Sequence, residues 1–172
     1  DAGHALGQAL LPDAAPLHKV SIIPRGSAGG ATFSLPERDR MVYGKRFLTS
    51  MMKITFGGRI AEEMFCSDIS SGAAQDIRQA TDIARRMVLE WGMSEKIGFV
   101  YHGEDQNLMF PGMSSGRDYS ELTAQVIDTE IKQLVETAYN ETRDLIIANR
   151  DKLEAIAQAL LHEPSLVLLD EP

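Results

Sequence analysis

The alternation of apolar and polar positions predicts a short helix followed by two short strands at the start of the chain. Helical spacing of apolar residues extends from Ala2 to Leu11, where Pro12 and Asp13 stop it. The runs His18–Pro24 and Ala31–Leu35 favour strand and are separated by a glycine-containing segment. We therefore expect a small antiparallel hairpin rather than a parallel sheet.

The rest of the pattern predicts four more helices, so the expected fold class is mainly α with this small antiparallel β element. Helical spacing continues over 39–65, over the segment between Ser70 and Gly92, and over Ser120–Asn149 and Asp151–Leu161, whereas 98–118 has an irregular pattern. Gly57-Gly58 interrupts the first of these and marks a kink or a close backbone approach. The predicted buried stripes of the second and third comprise Ile77, Ala80, Ala84, Met87, Val88 and Trp91, then Leu122, Val126, Ile131, Leu134, Ala138, Leu145 and Ile146.

Composition narrows the class of protein without identifying it. The 172 residues, 44% of them hydrophobic, are enough for one domain with a real core. We expect no membrane-spanning helix, because no apolar run reaches about 18 residues, and the chain opens with no signal-like segment. The single cysteine, Cys66, excludes an internal disulfide and fits a reducing compartment.

The net negative charge of the chain is concentrated in its C-terminal part. The net charge is −8, and residues 119–172 hold four basic and eleven acidic side chains. This balance argues against nucleic-acid binding. We expect the C-terminal helices to turn their acidic face to solvent and their apolar stripe inward.

Two places in the sequence suggest metal chemistry. Asp1 and His4 are three residues apart, so on a helix they share a face, as a zinc ligand and a proton-accepting carboxylate would. Asp76 stands in the first turn of a predicted helix and is a possible further metal ligand. The residues alone leave simpler explanations open: a solvated histidine, and an aspartate that complements the helix dipole.

A set of further segments occurs in the order and spacing of one known family, over about residues 1–161. They are Ala2-Gly3-His4-Ala5, Leu11-Pro12-Asp13-Ala14, His18-Lys19-Val20, Ile22-Ile23-Pro24-Arg25-Gly26, Gly57-Gly58-Arg59-Ile60-Ala61-Glu62-Glu63, Ser71-Gly72-Ala73, Asp76-Ile77, Ala80-Thr81, Ala84-Arg85-Arg86-Met87-Val88, Trp91-Gly92-Met93-Ser94-Glu95-Lys96-Ile97-Gly98 and Asn149-Arg150. Together they resemble the peptidase domain of the FtsH-type AAA+ zinc metalloproteases.

The resemblance implies a role for each candidate residue. The family's site is H-E-x-x-H on one helix, with an aspartate from a later helix as the third zinc ligand. His4 matches the second histidine and Asp76 the distal aspartate; Asp1 stands where the family has its catalytic glutamate, the general base. The first histidine would precede residue 1. Aspartate is shorter than glutamate by about 1 Å, which costs roughly 10²-fold in rate, so we expect this chain to be an impaired peptidase.

The family further implies ATP-dependent zinc endopeptidase activity on unfolded or membrane proteins. A preceding AAA+ module, which uses ATP and Mg²⁺, would feed substrates into a homo-hexamer. Transmembrane segments before that module would place it on the cytoplasmic face of a bacterial inner membrane, or on an organelle's matrix side. Residues 22–30 resemble the family's edge strand for substrate, and the methionines at 41, 51, 52 and 64 are interpreted as core filler. The main alternative is a catalytically inactive, hexamer-forming scaffold of the same family.

The last residues have a different pattern, which places a boundary between 1–161 and 162–172. The stretch from His162 to Pro172, with four apolar residues followed by Asp170-Glu171-Pro172, resembles the Walker B segment of ABC-transporter ATPases. An ABC-type ATPase fragment is a less favoured hypothesis, since no G-x-x-x-x-G-K-[ST] loop occurs. We expect this foreign segment to pack poorly or to form an isolated extended end.

Overall fold

Five α-helices and three short strands make up the described part of the fold. The computed structural model describes residues 1–23, 30–34, 42–66, 71–103 and 119–167. The helices are α1 (Ala2–Leu10), α2 (Lys45–Phe65), α3 (Ala74–Leu89, preceded by a 3₁₀ turn at Ser71–Ala73), α4 (Glu121–Ala148) and α5 (Arg150–His162). The strands are β1 (Leu17–Ser21), β2 (Ala31–Ser34) and β3 (Ser165–Val167). The predicted mainly α fold class is confirmed.

Helix α2 is the centre of the fold, in contact with α1, α3 and α4. Its inward face supplies Met52, Phe56 and Ile60, each at most 3% exposed. Leu6 from α1 and Ile146 from α4 complete the same core. Removal of these apolar side chains from water is the main source of stability, so α2 fixes where its neighbours lie.

Gly57 of α2 allows a close approach of two helix backbones, as the sequence suggested. A Cβ on Gly3 would overlap the carbonyl oxygen of Gly57 and lie 2.9 Å from the Cβ of Ala61. A Cβ on Gly57 would overlap the backbone of Gly3 in turn. Helix α2 runs through Gly57 and Gly58 as continuous α-helix. Gly3 and Gly57 therefore serve to bring α1 against α2.

The sheet has the order β2-β1-β3, with both pairings antiparallel. The predicted hairpin is confirmed as β1 and β2. The expected isolated end is wrong for 165–167, because these residues pair with β1, from Lys19 opposite Val167 to Ser21 opposite Ser165. The unpaired backbone groups on that side of β1 provide the physical reason for this pairing. Residues 168–172 lie outside the described part, and their separate origin stays a prediction.

The predicted buried stripes agree with the structure in the middle of each helix and differ from it at the helix ends. Ser120 caps α4, its Oγ accepting a bond from the backbone N–H of Thr123 at 3.2 Å. Helix α3 begins after Ala73, which makes no side-chain capping bond. The predicted stripe residues that lie exposed are the terminal ones: Ile77, Trp91, Leu122 and Val126.

The acidic face of α4 points to solvent, as predicted. Five of its six carboxylates are exposed: Glu121, Asp128, Glu136, Glu141 and Asp144. Glu130 differs, since it accepts a hydrogen bond from the Ser94 hydroxyl at 2.7 Å and pairs with Lys96. These bonds, the one from Lys96 above all, hold the pKa of Glu130 below its usual value, so one acidic residue of this face ties α4 to the segment after α3.

Candidate metal centre and cleft

Two of the predicted site residues meet, although they are on different helices. His4 is on α1 and Asp76 is in the first turn of α3. The His4 Nε2 and Asp76 Oδ2 atoms lie 3.4 Å apart. Two ligands of one tetrahedral zinc ion, each at about 2.0–2.2 Å from the metal, lie roughly 3.4 Å from each other. The spacing expected for a shared metal is therefore present.

The imidazole of His4 lies in a tight space against α2. Its Nε2 is 3.2 Å from the carbonyl oxygen of Thr55, and a Cβ on Gly58 would overlap the ring. Burial lowers the pKa of His4, and the Asp76 carboxylate opposes this effect. The neutral imidazole, which is the form that binds a metal, is favoured.

Asp1 lines the same cleft as His4 and Asp76. It is the residue before α1, and its side chain makes no capping bond. Its carboxylate lies against Gly30, where no Cβ could be accommodated, and its carbonyl accepts a bond from the Thr32 hydroxyl at 3.4 Å. The small β element thus lies beside the site, with Gly30 at the Asp1 carboxylate and Thr32 of β2 at the Asp1 carbonyl.

The donor set suits zinc but is incomplete. An imidazole nitrogen and a carboxylate oxygen are common zinc ligands, and a catalytic zinc has three protein ligands with one open position. Within the described ranges, no group of three or more His, Cys, Asp or Glu side chains is arranged to hold a metal. His4 and Asp76 fit as two of the ligands.

The site opens into a cleft of about 830 Å³ between β2 and the first half of α2. Its lining includes Ala31, Thr32 and Ser34 of β2 and an apolar wall of Phe47, Met51 and Ile54 on α2. Tyr43 stacks on Phe47, with ring centroids 5.4 Å apart. An extended chain with an apolar side chain would fit between these walls.

The sequence did not identify this apolar wall. Met52 and Met64 are in or against the core, as predicted, but Met51 borders the cleft, so its interpretation as core filler is wrong. Met41 lies outside the described residues. The available signal was the helical period itself: Phe47, Met51 and Ile54 are three to four residues apart and share one face of α2. Most of the predicted edge strand, 24–29, also lies outside the described residues, and the strand beside the site is β2.

None of the described helices combines the length and the apolar character needed to cross a bilayer.

Comparison with known proteins identifies the family. The ATP-dependent zinc metalloprotease FtsH 2 of Methylacidiphilum infernorum (isolate V4) is 48% identical over 168 residues, which are 96% of this chain and 26% of that protein. The ATP-dependent zinc metalloprotease FtsH of Nitrosococcus oceani is 44% identical over 172 residues, or 99% of this chain and 27% of that protein. The chain thus spans about a quarter of the length of these relatives.

The profile of Peptidase family M41 matches residues 1–168, which includes His4, Asp76 and the paired strand β3. This match covers nearly the whole chain, and the fold and the expected pairing of two candidate ligands agree with it. The chain therefore belongs to peptidase family M41.

Proposed function

We propose that this chain is the zinc-dependent endopeptidase part of an ATP-dependent protease. The observation that carries the proposal is the 3.4 Å approach of His4 Nε2 and Asp76 Oδ2 in a cleft, within a chain of peptidase family M41. Relatives that match nearly all of this chain are named ATP-dependent zinc metalloproteases. Ion pairing alone would also bring the two groups together, so the test must separate metal binding from stability.

His4, Asp76 and Asp1 each have a defined task in this proposal. His4 and Asp76 hold the metal, His4 as the neutral imidazole favoured by burial. Zinc bound there would supply Lewis acidity toward the scissile carbonyl and toward water. Asp1 would accept the proton of the attacking water and return it to the leaving amine, as a general base and then a general acid. Its shorter side chain predicts a slower proton transfer than glutamate would give.

The substrate in this proposal is an extended polypeptide. In the described sheet β2 is a terminal strand, and a substrate peptide would pair with its outer backbone groups as a further strand. Such a peptide would pass between β2 and the apolar residues of α2. Backbone pairing is independent of sequence, as degradation of unfolded or membrane proteins requires.

The other modules of the protease are inferred from the family. An AAA+ module that uses ATP and Mg²⁺ would unfold substrates and feed a homo-hexamer, anchored on the cytoplasmic face of a bacterial inner membrane or on the matrix side of an organelle membrane. We also propose a domain boundary between 1–161 and 162–172. The family profile extends past this boundary to residue 168.

A catalytically inactive, hexamer-forming scaffold is the second candidate. One observation favours it: an aspartate stands at position 1, where the resemblance implies the catalytic glutamate. Both candidates retain the fold, so they differ in zinc content and in cleavage.

The deciding experiment measures zinc content and ATP-dependent casein cleavage of the full-length gene product, with Asp76→Asn and the matched control Asp82→Asn. Asp82 is an exposed carboxylate on the same helix. We expect one zinc per subunit, lost together with cleavage in Asp76→Asn and unchanged in Asp82→Asn. Asp1→Glu should raise the turnover number by roughly 10²-fold without a change in zinc content. Absence of zinc from the unmodified protein would contradict the peptidase proposal and support the scaffold.

A further inference from the structure

Gly58 differs from the other glycines of the α1–α2 contact in what it faces. A Cβ built on it would overlap Cε1 of His4 and lie 2.7 Å from Nε2 and 3.0 Å from Nδ1. Its three nearest neighbours are thus all atoms of one imidazole ring. By contrast, the nearest neighbours of a Cβ on Gly57 are backbone atoms of Gly3 and His4. Gly57 makes room for a helix, and Gly58 makes room for a side chain.

We propose that Gly58 is a positioning residue of the candidate zinc site, which holds the His4 imidazole against Asp76 by leaving the space of a Cβ to the ring. The inference rests on the proposed function, because the position matters only if His4 and Asp76 share a ligand. Nε2 of His4 is held between the Thr55 carbonyl at 3.2 Å and Asp76 Oδ2 at 3.4 Å. A methyl group at position 58 would occupy the space that the ring needs for both contacts.

The cost of a methyl group at Gly58 should fall on the site and not on the fold. The imidazole turns about two side-chain bonds, so it can leave without movement of either helix backbone. Alanine is also a better residue than glycine in the interior of a helix. Gly58→Ala should therefore preserve or raise stability while it displaces Nε2 from Asp76. If Gly58 mattered only for helix packing, Gly58→Ala would lower stability and leave the His4 ring beside Asp76.

The first test measures zinc affinity and thermal stability of Gly58→Ala in the full-length gene product. Competition with a chromophoric chelator gives the Kd for zinc, and calorimetry of the zinc-free protein gives Tm. We expect Kd to rise by about tenfold or more, with Tm unchanged or raised. Gly7→Ala is the matched control on α1, because a Cβ there meets Ile54 Cα at an ordinary 3.7 Å. Equal zinc affinity in Gly58→Ala and the unmodified protein would overturn the proposal.

The second test needs no metal. Tm is measured without zinc for the unmodified protein, for Gly58→Ala, for His4→Ala and for the double variant. The Tm shift caused by Gly58→Ala with His4 present is compared with the shift in the His4→Ala background. Without the ring, the new methyl group meets no obstacle, so the shift should be more favourable in the His4→Ala background. Identical shifts would show that the ring and position 58 do not interact, and would overturn the proposal. Absence of zinc from the unmodified protein would overturn the proposed function and this role with it, whereas identical shifts in a protein that binds zinc would overturn the role of Gly58 alone.

Discussion

Helix α2 is packed on two sides in different ways. Against α1 it presents backbone at one point, because Gly3 and Gly57 meet there without side chains of their own. Against α4 it presents side chains: the rings of Phe56 and Tyr139 meet edge to face, with centroids 5.6 Å apart. The same helix is thus held by a rigid backbone contact on the site side and by an adjustable side-chain contact on the other.

The difference explains where precision is needed. Side chains can change rotamer to absorb an error, but two touching backbones cannot. His4 is next to Gly3, so its position follows directly from the backbone contact. The α4 side carries stability and no candidate site residue. We therefore expect substitutions on the first side to disrupt the site abruptly, and substitutions on the second to lower stability in small steps.

Gly3→Ala should have the largest effect. Its Cβ would overlap the Gly57 carbonyl, so the two helices would have to separate. We expect a loss of about 3 kcal/mol in the free energy of unfolding, together with loss of zinc binding, measured by urea denaturation and by metal analysis. A loss below about 0.5 kcal/mol would mean that the backbone contact is as adjustable as the α4 side.

Tyr139→Phe should have the next largest effect, on the α4 side. The Tyr139 hydroxyl donates to Glu63 Oε2 at 2.5 Å, and Glu63 Oε1 accepts from Arg59 at 2.8 Å. Loss of this bond to a charged acceptor should cost about 1.5 kcal/mol in the free energy of unfolding at neutral pH. Zinc affinity should not change. A change in zinc affinity would show that the two sides of α2 are coupled.

The same bond predicts a pH dependence. The hydrogen bond from Tyr139 and the nearby Arg59 lower the pKa of Glu63 from 4.5, against the opposing effect of burial, and burial together with Glu63 raises the pKa of Tyr139 above 10.0. A lowered acid pKa stabilises the fold above pH 4.5, and this contribution is lost as pH falls through the folded value. The difference between unmodified protein and Tyr139→Phe should be flat from about pH 5 to 9 and shrink in acid. Unfolding free energies measured across this range check it.

Thr142→Val should cost about 1 kcal/mol. Thr142 is fully buried in α4, where its hydroxyl donates to the Ala138 carbonyl at 2.7 Å and lies 3.3 Å from the Lys53 carbonyl on α2. Thr129→Val is the matched control, an exposed threonine of the same helix with the same bond, to Gln125 at 2.8 Å. Equal losses in the two variants would assign the effect to α4 alone and not to its contact with α2.

Glu141→Gln should have the smallest effect. The Glu141 carboxylate is 2.6 Å from the Lys53 ammonium, but it is about half exposed. We expect a loss of about 0.5 kcal/mol that disappears in 1 M salt. Glu136→Gln, which breaks a more exposed pair with Lys132 at 3.6 Å, should cost less. A larger loss for Glu136→Gln would contradict the ranking by burial.

The sequence predicted those parts of the fold that depend on local periodicity. The helices and the hairpin follow from the spacing of apolar residues. The predicted burial of Ala84 and Ile146 was correct. The prediction failed at Leu122 and Trp91, which are exposed at the ends of that pattern. Period fixes which face of a helix is apolar, but not how far along that face a neighbour extends.

The residues of the candidate site were predicted from the family resemblance. No rule applied to the sequence predicted their geometry. That His4 and Asp76 belong together came from the family pattern, since nothing in their separate neighbourhoods links residues on different helices. The contact of Gly58 with the His4 ring depends on how two helices cross, which a single sequence does not encode locally. Strand β3 was missed because a short apolar run pairs with whichever strand edge is nearby.

The pairing of β1 with β3 has a consequence for the order of folding. It joins residues about 150 positions apart, so the chain must close a very long loop before these hydrogen bonds can form. Helix pairs such as α1 and α2 require shorter loops and should assemble first. We expect β3 to be the last element to dock and the first to open, with backbone amides that exchange with solvent deuterium well before those of α2.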